Sequence, residues 1–119
     1  MAAENGFPRA QCILGVCYVN GDGFVEKDYN KAFYCFKKSA EQGYVNAQYE
    51  LGICYKNGYG VEKDYNEAVK WYRKAAENGN YDAMVILSKA VDNELPISEE
   101  EAQKWAKKSE VQKMKDMKE

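Results

Sequence analysis

Histidine is absent from the 119 residues. That removes the commonest general base, the commonest zinc ligand and every catalytic triad built on imidazole. No apolar run approaches the roughly 20 residues that span a bilayer, so this segment is not expected to insert in a membrane. Met1–Ala10 has neither the basic start nor the apolar centre of a secretory signal. Neither sign of charge dominates, with 17 basic and 19 acidic residues and a net charge of −2, which disfavours nucleic acid as a partner. The four cysteines, Cys12, Cys17, Cys35 and Cys54, form no Cys-x-x-Cys pair. Three disulfide pairings stay open on sequence alone. Each thiol sits in an apolar helical pattern, so the favoured reading is four reduced thiols packed as small hydrophobes, which favours a cytoplasmic setting.

What the chain has in quantity is aromatic surface: ten Tyr, four Phe and two Trp. That is enough to build one packed core. It also repeats itself, the most informative feature a sequence can carry. Ala10-Gln-Cys-Ile-Leu-Gly-Val-Cys-Tyr18 returns as Ala47-Gln-Tyr-Glu-Leu-Gly-Ile-Cys-Tyr55, displaced by 37 residues. Asn20-Gly-Asp-Gly23 returns as Asn57-Gly-Tyr-Gly60, and Val25-Glu-Lys-Asp-Tyr-Asn30 as Val61-Glu-Lys-Asp-Tyr-Asn66, the last displaced by 36 because Phe24 is extra. A third, degenerate copy keeps Ala83, Leu87, Ala102 and Trp105 and loses the Gly-x-Gly loop. Ala2-Ala-Glu-Asn-Gly6 repeats Ala75-Ala-Glu-Asn-Gly79. One repeat domain over residues 1–119 is therefore expected. Residues 1–6 would be the tail of an upstream repeat, 7–43 the first repeat, 44–79 the second, and 80–119 a degenerate third with a C-terminal cap. Further repeats of a longer parent chain are expected contacts.

Each copy reads as two helices. The first helices are expected at Pro8–Val19, Val45–Lys56 and Tyr81–Asp92, the second at Tyr29–Gln42, Tyr65–Asn78 and Glu99–Lys115. Pro8 suits a first helical position. Ala10, Leu14, Cys17 and Tyr18 share one face. Gly21 and Gly58 end the first helices in the left-handed conformation. Asp28 and Asp64 are expected caps, with capping-box spacing at Asp64/Glu67 and Ser98/Glu101. Gly15 and Gly52 lie inside helices, where glycine costs about 1 kcal/mol relative to alanine; close approach of the partner helix explains them.

The pattern Ala47-Gln-x-x-Leu-Gly-x-x-Tyr55, Gly58-x-Gly60-Val61, Asp64, Ala68, Trp71-Tyr72, Ala75-Ala76-Glu77-x-Gly79 resembles a Sel1-like repeat. Tetratricopeptide repeats are similar, but their period is nearer 34 and they lack the Gly-x-Gly loop. The resemblance covers residues 2 to 109 and implies an all-α fold, a right-handed superhelical solenoid of antiparallel helix hairpins. It also implies an adaptor, of the kind found in signalling, in membrane-protein complexes including the endoplasmic-reticulum degradation machinery, or in host–microbe contact. Some bacterial relatives pin helices with paired cysteines; Ala40 and Gln48 stand where such a pair is expected, which lowers the secreted, cysteine-rich branch.

Asn20-Gly-Asp22-Gly resembles a calcium loop, but Val25 replaces the glycine an EF-hand needs. The Gly-x-Gly follows a helix with no strand before it, which makes it a weak match to a phosphate cradle. A metal site built from the four cysteines without histidine would need them to converge tetrahedrally, and none is expected. No cofactor, metal or catalytic residue is assigned, and the chain is not expected to be an enzyme. The expected site is an interaction surface. Cys12, Val16 and Val19 lie off the core stripe, as do Tyr49, Ile53 and Lys56 and then Val85, Lys89 and Asp92. Stacked repeats would line them into one concave ladder that receives a protein or an extended peptide. Within it Cys12 is the expected reactive thiol. A binder of a small molecule or cell-wall fragment is the alternative, with a hydrolase third. Apolar surface is also expected to stand open around Ile13, Tyr34 and Phe36.

Overall fold

The structure, a computed structural model, describes residues 7–23 and 25–118. Among these residues there are six α-helices and no strand: α1 (Pro8–Asn20), α2 (Tyr29–Glu41), α3 (Val45–Asn57), α4 (Tyr65–Glu77), α5 (Tyr81–Ser88) and α6 (Glu99–Met117). Local chemistry bounds most of them. Pro8 occupies the start of α1. Gly21 and Gly58 follow α1 and α3 at φ +70° and +76°, and their N–H groups donate to the carbonyls of Cys17 and Cys54. A side chain with a Cβ would resist that conformation. The Asp28 carboxylate accepts from the Lys31 N–H at 3.1 Å, and that of Asp64 from Asn66 and Glu67 at 3.0 and 3.1 Å. Asn80 and Ser98 cap α5 and α6 in the same way.

Neither expected capping box closes on both sides. The Asp64 N–H donates to the Tyr55 carbonyl at 2.9 Å, as the Asp28 N–H does to Tyr18 in the first repeat. Glu101 turns away from its cap to take two hydrogen bonds from Arg73, at 2.7 and 2.6 Å, and one from Trp105 Nε1 at 3.1 Å. That bidentate pair ties α4 to α6.

Each helix packs on its neighbours in sequence, giving three hairpins in an all-α solenoid. Two clusters form the core. One joins α1 to α4 around Phe36 and Leu51; the other joins α4 to α6 around Tyr72, Leu87 and Trp105. Gly15 and Gly52 make this possible: a Cβ there would stand 2.6 Å from the Phe36 ring and 2.7 Å from the Tyr72 ring. The close approach is thus by an aromatic ring of the second helix laid across the first. No helix among the described residues is long and apolar enough to cross a membrane.

Four expectations need correction. Helix α5 ends at Ser88, so Lys89 is its cap and Asp92 lies in the following turn. No glycine stops it; the Asn93 amide donates to the carbonyls of Ile86 and Lys89 and closes the end early. Cys12 is buried at 6% exposure, packed with Phe36, Ala40 and Ala47. Phe36 is buried over Gly15, while Ile13 and Tyr34 do stand open. Ala10 and Leu14 are only partly covered, although Ala47 and Leu51 in the same register are fully buried, because α1 has no helix before it among the described residues. The tail assigned to residues 1–6 and the extra Phe24 lie outside the described residues.

Candidate interaction groove

A groove of about 560 Å³ opens between the first helices of successive repeats. Helix α1 contributes Cys12, Ile13, Val16 and Cys17; Tyr44, Asn46, Tyr49 and Glu50 come from α3 and its entry; Asn80 and Asp82 come from the start of α5. The hairpin geometry brings these together because α2 and α4 are fixed outside by a ring over glycine, leaving the first helices to face one another.

Of the expected ladder, Cys12, Val16 and Tyr49 line this groove. Val19 and Ile53 are half-buried and pack on the two core clusters. Lys56 and Val85 are half-buried outside the lining, and Lys89 and Asp92 are exposed beyond the end of α5. Seven lining residues were not in the ladder: Ile13, Cys17, Tyr44, Asn46, Glu50, Asn80 and Asp82. A sequence signal exists for two of them. Glu50 occupies the register of the exposed Ile13 in an otherwise apolar stretch, and Asp82 sits in the first turn of α5.

The groove is acidic. Glu50 is half-buried, and its carboxyl is pushed above the ordinary range, first by burial and then by the charge of Asp82. Asp82 itself lies where the helix dipole favours a negative charge. Burial, with the charges of Asp82 and Glu50, also raises the Tyr49 phenol. No lysine or arginine lines the groove. Its walls are polar at one rim, where the Asn80 amide donates to Asn46 Oδ1 at 3.4 Å, and aromatic in the middle, where the Tyr49 ring lies 6.0 Å from that of Tyr72. Among the described residues no three Cys, Asp or Glu side chains converge as metal ligands would.

The thiols divide differently from the sequence expectation. All four are free. Burial, then the Glu50 charge, pushes Cys12 up to about 11 and Cys54 up to about 12, and burial raises Cys35. The thiolate is the reactive species, and only Cys17 is partly open to solvent. A maleimide titration of the native protein at neutral pH should therefore label Cys17 first, and the other three on unfolding. First labelling of Cys12, read by peptide mass, would contradict this packing.

Residues 8–44 and 45–80 each match the family model of the Sel1 repeat. Among solved structures the chain is similar to a protective antigen of uropathogenic Escherichia coli strains displaying an SLR fold, at 37% identity and a TM-score of 0.85 over 93% of this chain and 24% of that one. It is also similar to a Sel1 repeat protein from Oxalobacter formigenes, at 36% identity and a TM-score of 0.80 over 88% of this chain and 42% of that one. The chain thus spans about a quarter to two-fifths of the length of these two structures. No curated protein sequence matches it.

Proposed function

The chain belongs to the Sel1 repeat family, and from that premise we propose that it is an interaction scaffold that receives a protein segment along the groove of its first helices. One observation carries this reading: the groove joins three repeats and presents the half-buried side chains of Val16 and Tyr49 to solvent beside polar rims. A contiguous surface of that kind is characteristic of interaction sites, and a rigid tyrosine at its centre is the residue type that dominates binding energy. Two carboxylates beside a tyrosine ring and apolar side chains supply charge and aromatic surface for recognition.

A photo-crosslinking side chain at Val16 should capture a protein from the native source, and the same probe at exposed Val91, outside the groove, should not. Tyr49→Ala should weaken binding of the captured partner about tenfold. The ring also packs on the α4–α6 core, so the variant should melt somewhat lower than the parent but well above Leu51→Ala. Equal capture at positions 16 and 91, or unchanged affinity in Tyr49→Ala, would move the site elsewhere.

A further inference from the structure

Glu50 and Asp82 face one groove and attract no cation from the fold. Among the described residues the ion pairs are Lys70–Glu67 and Arg73–Glu101, both outside the groove. Asp82 is exposed, but Glu50 is half-buried, and a carboxylate taken partly out of water without a partner costs free energy, so the Glu50 end of the groove stands in want of positive charge. Behind the groove wall Tyr72 is fully buried, and its hydroxyl has no hydrogen-bond partner among the described residues. Its ring crosses Gly52 and reaches Tyr49, and its hydroxyl lies within the electrostatic reach of Tyr49, Cys54 and Glu50. Two carboxylates and the half-buried Tyr49 ring therefore face one groove, with the Tyr72 phenol in the core behind that ring. Their complement is a cation with several N–H donors and an apolar stem. Calcium demands six or more oxygen ligands and magnesium a fixed octahedron, which two carboxylates do not supply.

We propose that the groove recognises a basic side chain, arginine or lysine, carried on an extended segment of a partner protein. The cationic head is received between Glu50 and Asp82, and its aliphatic stem lies along Val16 and the Tyr49 ring, so apolar contact adds to the charge pairing. The inference rests on the groove being the interaction site.

The test uses the whole chain and a phage-displayed library of random twelve-residue peptides. Enriched peptides should converge on one arginine or lysine flanked by apolar residues. In fluorescence anisotropy, replacing that residue by norleucine should weaken binding tenfold or more, and Glu50→Gln should do the same while flattening the salt dependence. The same Glu50→Gln change should raise the melting temperature at pH 7. The folded-state pKa of Glu50 is raised, so its ionised form subtracts from stability as pH climbs past the ordinary value of about 4.3. Below that value both folded and unfolded chains hold the proton, and the two melting curves should meet. The titratable groups around Glu50 are Asp82 of α5, Cys12 of α1, Tyr72 of α4, and Tyr49 and Cys54 of α3.

Peptides that Tyr49→Ala weakens, but that carry no basic residue or ignore Glu50→Gln, would overturn the cation inference and leave the groove reading standing. A Glu50→Gln protein that melts below the parent would also overturn it, since the carboxylate would then be satisfied within the fold. Peptides indifferent to Tyr49→Ala, or no enrichment at all, would remove the groove as the site and the cation inference with it.

Discussion

Leu51→Ala is expected to unfold about 2–5 kcal/mol more readily than the parent, and Leu14→Ala about 1 kcal/mol more readily. The two leucines hold the same register in α1 and α3, in the same local sequence, so helix propensity treats them alike. Their surroundings differ. Leu51 is fully buried, in a cluster of Ala32, Phe36, Ala47, Cys54 and Trp71. Phe36 is itself fixed over Gly15 and cannot swing into a cavity, so truncation should leave most of the void open. Leu14 is only partly covered and lines a shallow hollow with Tyr18, Tyr34 and Cys35. Urea denaturation measures both, provided the m-value stays that of the parent. Equal losses would mean that α1 is as enclosed as α3, and the packing order described here would be wrong.

That contrast also marks what the sequence made legible. Five of the six helices start and stop within two residues of expectation, because their boundaries are written in local chemistry: Pro8, the aspartate caps, and Gly21 and Gly58. The end of α5 was not legible. It depends on Asn93 reaching back to two carbonyls, a bond with no fixed motif. Gly15 and Gly52 announced a close approach, but only the structure identifies the rings that make it.

The groove was half legible for a geometric reason. A ladder read along one helix picks side chains at i, i+4 and i+7, as at Cys12, Val16 and Val19. The hollow runs between helices, so it draws on the flanks that face one another, at Ile13 and Glu50, and on the first turn of α5. The rotation of one helix against the next is set by packing, not by register. Cys12 shows the same limit on a smaller scale. It shares its position with Tyr49, yet a thiol one bond past Cβ stays beneath the surface where a phenol ring emerges half-exposed. Position in the repeat assigns direction; side-chain length decides exposure.

Gly60→Ala is expected to cost about 2–5 kcal/mol, while Gly23→Ala, the same motif position one repeat earlier, should cost about 1–2 kcal/mol. Both glycines are left-handed, at φ +73° and +68°, so an L-alanine is strained at either. Only Gly60 is also enclosed. A Cβ there would overlap the Tyr29 carbonyl and stand 2.9 Å from the Cβ of Phe33, whereas at Gly23 nothing among the described residues lies within 4 Å. The enclosure arises because the second-repeat loop rests on the first turn of α2, with the Tyr59 ring stacked on Tyr29 at 4.3 Å and 21°. The obstacle is backbone at the start of a helix, which cannot step aside as a flexible side chain would. An alanine at position 60 must therefore lift the loop from α2 and loosen the first repeat against the second. The groove spans that same junction, from Val16 to Tyr49, so affinity for a groove-bound peptide should fall together with stability. Thermal melts of both variants, beside anisotropy with one selected peptide, check the two effects at once. Equal destabilisation at positions 23 and 60 would show that left-handed strain alone matters there, and a Gly60→Ala protein that melts low yet binds normally would separate the loop contact from the shape of the groove.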